Sequence, residues 1–165
     1  MIDFEWRLSI ATVIENGVFS DFSGYLRNLI LISGKGISLK HSENCVDHLD
    51  ELLSFSTFDG SCKTEAELND GAITDFNLMH DPSKYTAILE TYWHKLNVNL
   101  QNFDLCFVYS LADDVTLNST DGVIDISLKA GHLLKITKRA NTRDELENLC
   151  VSGEKLIIIY LNSLA

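Results

Sequence analysis

Short apolar runs cut by turn signals constrain this chain more than any other feature. Asn16-Gly17, Gly34-Lys35, Asp59-Gly60, Asp70-Gly71, Asp121-Gly122 and Ala130-Gly131 each put a residue suited to tight turns between apolar segments. Phe4, Trp6, Leu8 and Ile10 alternate with Asp3, Glu5, Arg7 and Ser9, which predicts a strand with one buried face; a helix through Phe4, Leu8 and Ala11 is the competing pattern. Residues 25–33 and 36–40, joined by Gly34-Lys35, read as a hairpin. Residues 53–58, 63–68 and 72–78 read either as short strands or as one long acidic loop. Residues 103–111, 123–128 and 132–137 read as three strands of an antiparallel meander.

Helical spacing competes with these strands in three places. Ser42 can cap a helix whose inner face is Cys45, Val46, Leu49, Leu52 and Leu53. Asp81-Pro82 combines a capping oxygen with a proline at the first helical position, and Tyr85, Ile88, Leu89, Tyr92 and Leu96 then mark one face through four turns. Thr142 and Glu145 form a capping box, followed by a stripe of Leu146, Leu149, Cys150, Gly153, Ile157, Tyr160, Leu161 and Leu164. The competing pattern breaks this last helix at Ser152-Gly153 and makes 155–161 a strand, because three successive isoleucines favour sheet. There is no internal repeat, low-complexity tract or linker in the sequence. The expected fold is therefore α+β: one globular domain over residues 1–165, with an antiparallel sheet packed against two to four helices. A chain of 165 residues can build its own core, hiding roughly 70% of the surface it exposes when unfolded.

Composition narrows location. The first residues carry acids where a secretory signal carries bases, and the longest apolar run, 156–161, is far short of the ~20 residues that span a bilayer. Cys45, Cys62, Cys106 and Cys150 contain no CxxC pair and are too sparse for a disulfide framework, so reduced thiols and a soluble cytoplasmic protein are expected.

No catalytic signature is present. Ser33-Gly34-Lys35-Gly36 lacks the earlier glycine and the following Ser or Thr of a phosphate-binding loop, and no GxSxG, HExxH or dinucleotide glycine motif occurs. Neither an enzyme nor a cofactor is expected. His41, Cys45 and His48, spaced by four and three residues, would share one side of a helix and form the best candidate metal ligands, but a fourth ligand is missing and His41 precedes the helix cap. Lys129, Lys135, Lys138, Arg139 and Arg143 make the one basic cluster, too small against a formal net charge of −11 to suggest direct nucleic-acid or membrane binding.

The excess charge is local. Residues 43–81 hold ten carboxylates and a single base, Lys63. Such a run would steer a basic protein toward it, with aromatic side chains supplying hold. The candidate contact residues are Asp59, Glu65, Glu67, Asp70 and Asp75, with Phe58 and Phe76 as anchors. In size, acidity and lack of catalytic motifs the chain resembles small acidic bacterial toxin-immunity proteins, such as those of contact-dependent growth inhibition. That resemblance implies one-to-one occlusion of a basic toxin, a nuclease domain, as partner. The alternative is a small α+β enzyme or ligand-binding domain, with its pocket between residues 82–96 and the 103–137 sheet.

Overall fold

A computed structural model describes residues 4–138 and 149–164. Among these the chain is all-β, with sixteen strands and no helix, and it divides into two compact units, Met1–Tyr85 and Thr86–Ala165. The α+β expectation is overturned.

In the first unit β1 (Trp6–Val13), β8 (Ile73–His80), β3 (Leu26–Ser33) and β6 (Phe55–Asp59) form one sheet in the order β1-β8-β3-β6. Its second sheet, β2-β7-β4-β5, comprises β2 (Gly17–Val18), β7 (Glu65–Leu68), β4 (Ile37–Ser42) and β5 (Cys45–Leu49). Leu29, Leu31, Phe58 and Ile73 of one sheet cluster with Ile37, Leu39, Leu49 and Ala66 of the other, so the core of this unit lies between its sheets. The β1 strand expected from alternation is present, and the 53–78 segment is strands rather than loop.

The second unit repeats the plan. Its strands are β9 (Tyr85–Tyr92), β10 (Leu96–Asn99), β11 (Leu105–Ser110), β12 (Val115–Ser119), β13 (Asp125–Leu128), β14 (Leu133–Thr137), β15 (Leu149–Gly153) and β16 (Leu156–Ser163). They pair as β9-β16-β11-β14 and β10-β15-β12-β13. Raising each strand number of the first unit by eight reproduces the second: one jelly-roll topology occurs twice, although the sequence shows no repeat. Cys106, Val108, Ile158 and Tyr160 meet Val115, Leu117, Leu128 and Val151 in this unit's core.

Each expected helix fails for a local reason. The Ser42 segment is a hairpin, β4 to β5, with a register shift between Lys40 and Ser42; Cys45 and Val46, supposed core positions, are exposed. At Asp81 the capping chemistry is real but ends after one turn. The Asp81 carboxylate accepts from the Ser83 amide and hydroxyl, holding its pKa below the usual range, and the Tyr85 amide donates to the Asp81 carbonyl. The chain then enters β9, where Tyr85, Thr86, Ile88, Thr91 and Tyr92 are all residues that suit a pleated surface. The third stripe divides into β15 and β16 at Gly153 (φ 152°) and Lys155 (φ 51°); a side chain at Gly153 would meet Val115 Cγ2 at 2.7 Å. The sheet alternative for 155–161 is thus the one realised. The Thr142–Glu145 capping box, Leu146, Arg139 and Arg143 lie outside the described residues.

The expected hairpin at Gly34-Lys35 and the expected meander are also corrected. β3 and β4 are strands, but they belong to different sheets, and the turn carries the chain across. Gly34 (φ 104°) permits this, since a Cβ there would lie 2.8 Å from the Ala72 carbonyl oxygen. β12 was not anticipated, and β11 pairs with β14 and β16 rather than with its sequence neighbour. No described helix is long and apolar enough to cross a membrane.

These placements redistribute the expected cost of truncation. Leu29→Ala, at a position with no exposed surface, should lower unfolding free energy by about 2–5 kcal/mol. Ile88→Ala, at 46% exposed, should cost well under that, and urea denaturation of the two variants compares them directly.

Candidate functional site

Strand alternation aims a polar set between the sheets of the first unit. On β3, Arg27 shares a face with Leu29 and Leu31; on β8, Asp75 and Asn77 share a face with Ile73. All three polar side chains are buried: Arg27 is 6%, Asp75 2% and Asn77 3% exposed. The Arg27 guanidinium lies over three rings, with Cζ 5.1 Å from the Phe19 centroid, 5.3 Å from Phe22 and 5.1 Å from Phe58. Among the described residues its one side-chain hydrogen bond is long, from Nη2 to Asn77 Oδ1 at 3.4 Å, while its Nε is buried with no hydrogen-bond partner. The Asn77 amide also donates to Asp75 Oδ1, which links the three residues in a chain.

The electrostatics follow from burial. Desolvation pushes the Asp75 carboxyl up to about 6, against the Asn77 hydrogen bond and the Arg27 charge, which both favour the ionised form. Desolvation likewise draws Arg27 down from its ordinary value, opposed by the charge of Asp75. Among the described residues the guanidinium makes no ion pair within 4 Å, and its Nε is a buried donor with no hydrogen-bond partner.

A second polar group occupies the same interior. His41 follows Ile37 and Leu39 on the inner face of β4; its Nδ1 shares a hydrogen bond with Thr64 Oγ1 at 2.9 Å, and its Nε2 lies 3.3 Å from Asp47 Oδ2. The Ser56 hydroxyl donates to the same Asp47 oxygen. The His41 ring lies 4.7 Å from that of Phe58, the ring that also carries Arg27, so Phe58 joins the two polar groups. The arrangement can hold an anion at the guanidinium and can accept a hydrogen bond at Asp47 or Asp75.

The expected contact residues do not form one patch. Asp59 is exposed and accepts from the Ser61 amide and hydroxyl, both at 2.7 Å, which hold its carboxyl below the usual range. Asp70 pairs with Lys35 at 2.5 Å, and Glu65 lies 3.7 Å from Lys63. Glu65 and Glu67 line an open groove of about 330 Å³ on the outer face of the second sheet, together with Lys40 and Val18. Asp75 and Phe58 lie in the interior, whereas Phe76, adjacent in sequence to Asp75, points from the opposite face of β8. For metal binding, His41 faces inward, His48 bonds the Ser38 hydroxyl at 2.9 Å on the outer face, and Cys45 is exposed at a strand end. The helical spacing that united them is absent, and no group of three metal-ligating side chains occurs among the described residues.

Arg27, Asn77, Ser56 and Thr64 were not anticipated. One signal was present: Arg27-Asn28 interrupts an apolar strand, and Asp75 and Asn77 alternate with Phe76 and Leu78, so polar residues occupy positions that a buried strand reserves for apolar ones.

Comparison with known proteins places this architecture. The chain is 33% identical over 164 residues to a Pseudomonas putida protein described as an uncharacterized 21.2 kDa protein in the hutC 3′ region, covering 94% of this chain and 78% of that one. The structure of HutD from Pseudomonas fluorescens SBW25 (formate condition) superposes with a TM-score of 0.77 at 27% identity, over 98% of this chain and 81% of that one. A conserved protein of unknown function from Pseudomonas aeruginosa PAO1, PA5104, superposes with a TM-score of 0.78 at 26% identity, over 98% and 84% of the two chains. These matches overturn the expected likeness to toxin-immunity proteins and with it the reading as a toxin inhibitor. The family model for HutD matches residues 1–152, and the chain belongs to the HutD family.

Proposed function

We propose that this protein is a small-molecule-binding protein that takes a carboxylate-bearing ligand between the sheets of its first unit, with Arg27 as the anchor. One observation carries the reading: the Arg27 guanidinium is buried, has an Nε without a hydrogen-bond partner and makes one long bond to a neutral amide. An isolated buried cation costs several kcal/mol, and a carboxylate offers the planar, two-oxygen acceptor that matches the guanidinium fork. Phe19, Phe22 and Phe58 form an apolar wall that suits the body of such a ligand and strengthens the ion pair by excluding water. Asp47 and His41 offer hydrogen-bonding atoms toward its far end. The role is binding rather than catalysis, in the cytoplasm, where the four unpaired cysteines of the chain would remain reduced.

The test is a thermal-shift screen of small carboxylic acids against their amides and alcohols. A ligand present at 100 times its Kd should stabilise the folded state by about 2.7 kcal/mol. Carboxylates should raise Tm and the matched neutral amides should not. Equal shifts from acids and amides, or from neither, would remove the guanidinium as anchor.

A further inference from the structure

Arg27 and Asp75 lie on one inner face of adjacent strands, both buried, and Asn77 bridges them by accepting from Arg27 Nη2 at 3.4 Å and donating to Asp75 Oδ1. This chain of three therefore holds one cation, Arg27, and already contains a carboxylate, Asp75, able to be its counter-ion. A ligand carboxylate on the guanidinium brings a second anion into the same water-poor cluster. Two carboxylates in a low dielectric that share one positive charge do not both stay ionised; the less solvated of them takes a proton.

We propose, resting on the carboxylate-binding reading above, that the site takes up its ligand together with one proton, and that Asp75 holds that proton. The balance is simple: ionised Asp75, a ligand carboxylate and one proton from solvent give a complex in which Asp75 is neutral and Arg27 pairs with the ligand. Protonated Asp75 then has a hydroxyl to donate toward the ligand oxygen, so the residue changes from competitor to partner. The low exposure of Asp75 supports its role as the acceptor, since burial already disfavours its charge with no ligand present.

The surrounding charges leave this role to Asp75. From β3 the facing charged group is Arg27 itself. On β1, Arg7 is aligned with Met79 and is exposed, while Ser9, Ala11 and Val13 on the same face are uncharged. From the opposing sheet, His41 on β4 and Asp47 on β5 lie 3.3 Å apart, Asp47 further held by Ser56. On β6 and β7, Ser56, Phe58 and Ala66 carry no charge. Arg27 is the charge that acts on Asp75, and its engagement by a ligand is what frees Asp75 to protonate.

The experiment uses the intact protein with formate and acetate as probes. Isothermal titration calorimetry at about pH 7.5 in two buffers of different ionisation enthalpy should report close to one proton taken up per anion bound, and Kd should rise roughly tenfold per pH unit between about pH 6.5 and 8. In Asp75→Asn the proton uptake should vanish and Kd should become independent of pH over that range. Binding by the native protein with no proton uptake and a flat pH profile overturns the proposal and leaves the guanidinium anchor standing. Absence of formate and acetate binding at every pH, down to about 5.5, overturns the carboxylate reading and this proposal with it. The two-buffer measurement needs no variant, so it decides the matter even if Asp75→Asn folds poorly.

Discussion

Replacing Arg27 by methionine should remove the response to carboxylates while leaving the jelly roll folded. Methionine keeps an unbranched, polarisable stem against Phe19, Phe22 and Phe58 but carries neither charge nor donor. Truncating one partner of a desolvated charge pair costs about 2–5 kcal/mol, which lowers affinity by roughly 30-fold to a few thousandfold. Arg27→Lys should also fail to bind tightly, because an ammonium on a flexible stem cannot match both oxygens at once. The stability of the free protein should change little or rise, since exchanging a buried, poorly satisfied ion for an apolar side chain is often neutral to stabilising by about 1–4 kcal/mol. Part of that gain is offset at Asp75, which loses the one charge favouring its ionised form. Calorimetry with the best acid from the thermal-shift screen, together with urea denaturation of the free protein, measures both effects. If Arg27→Met binds carboxylates as the native protein does, the anchor lies elsewhere.

The second large effect is on stability against pH. Asp75 has a folded-state pKa raised from 3.8 to about 6, so the native state holds its proton more tightly than the unfolded chain. Its contribution to stability is fully present below about pH 3.8 and is lost as pH rises through about 6, a difference of roughly 3 kcal/mol. His80 works in the opposite direction. It is 4% exposed with a buried, unpartnered Nδ1, and burial lowers its pKa, so the folded state prefers neutral imidazole and loses stability as pH falls below about 6.5. The native profile between about pH 4 and 7 is therefore a partial cancellation. Asp75→Asn should expose the His80 loss as a steeper acid destabilisation, and His80→Gln should reveal stability that increases on acidification. Denaturation midpoints at a series of pH values separate the two; a profile unchanged by Asp75→Asn would mean that Asp75 is as solvated in the fold as in the unfolded chain.

The same residues explain why so little of the site could be read in advance. Asp75 was included among the candidates, but as one carboxylate of a supposed surface run. The fold disperses that run into turn bonds at Asp59 and Asp81, lysine pairs at Glu65 and Asp70, a buried interior position at Asp75 and a half-exposed one at Asp47 beside His41. Counting charge along the chain fails because alternate residues of a strand face opposite ways: Phe76 and Asp75 are sequence neighbours on opposite faces of β8. Arg27-Asn28 marks a polar break in an apolar strand, but the site it belongs to is not legible locally, because its partners Phe58 and Asn77 are 31 and 50 residues away.

What the sequence by itself determined was local: that residues 6–13 form a strand, the turn positions, and the lack of catalytic motifs in the chain; the face expected to be buried is not the one that meets the core, since Ile10 is 51% exposed and Val13 packs against the core. Only the tertiary structure decided the class of fold. In β3, β8 and β16 most residues are buried on both faces, and in β3 and β8 the buried inner face carries Arg27, Asp75 and Asn77, so the alternation of apolar and polar residues no longer reports which face meets the core. Tyr85, Ile88, Leu89 and Tyr92 happen to satisfy helical spacing as well, and no local rule separates the readings. Long-range pairing does: β1 finds its partner in β8, with Trp6 opposite His80, and β11 finds β16. That pairing supplies every strand with the hydrogen bonds its own neighbourhood cannot, and it gathers Arg27, Asn77 and Asp75 into a single interior.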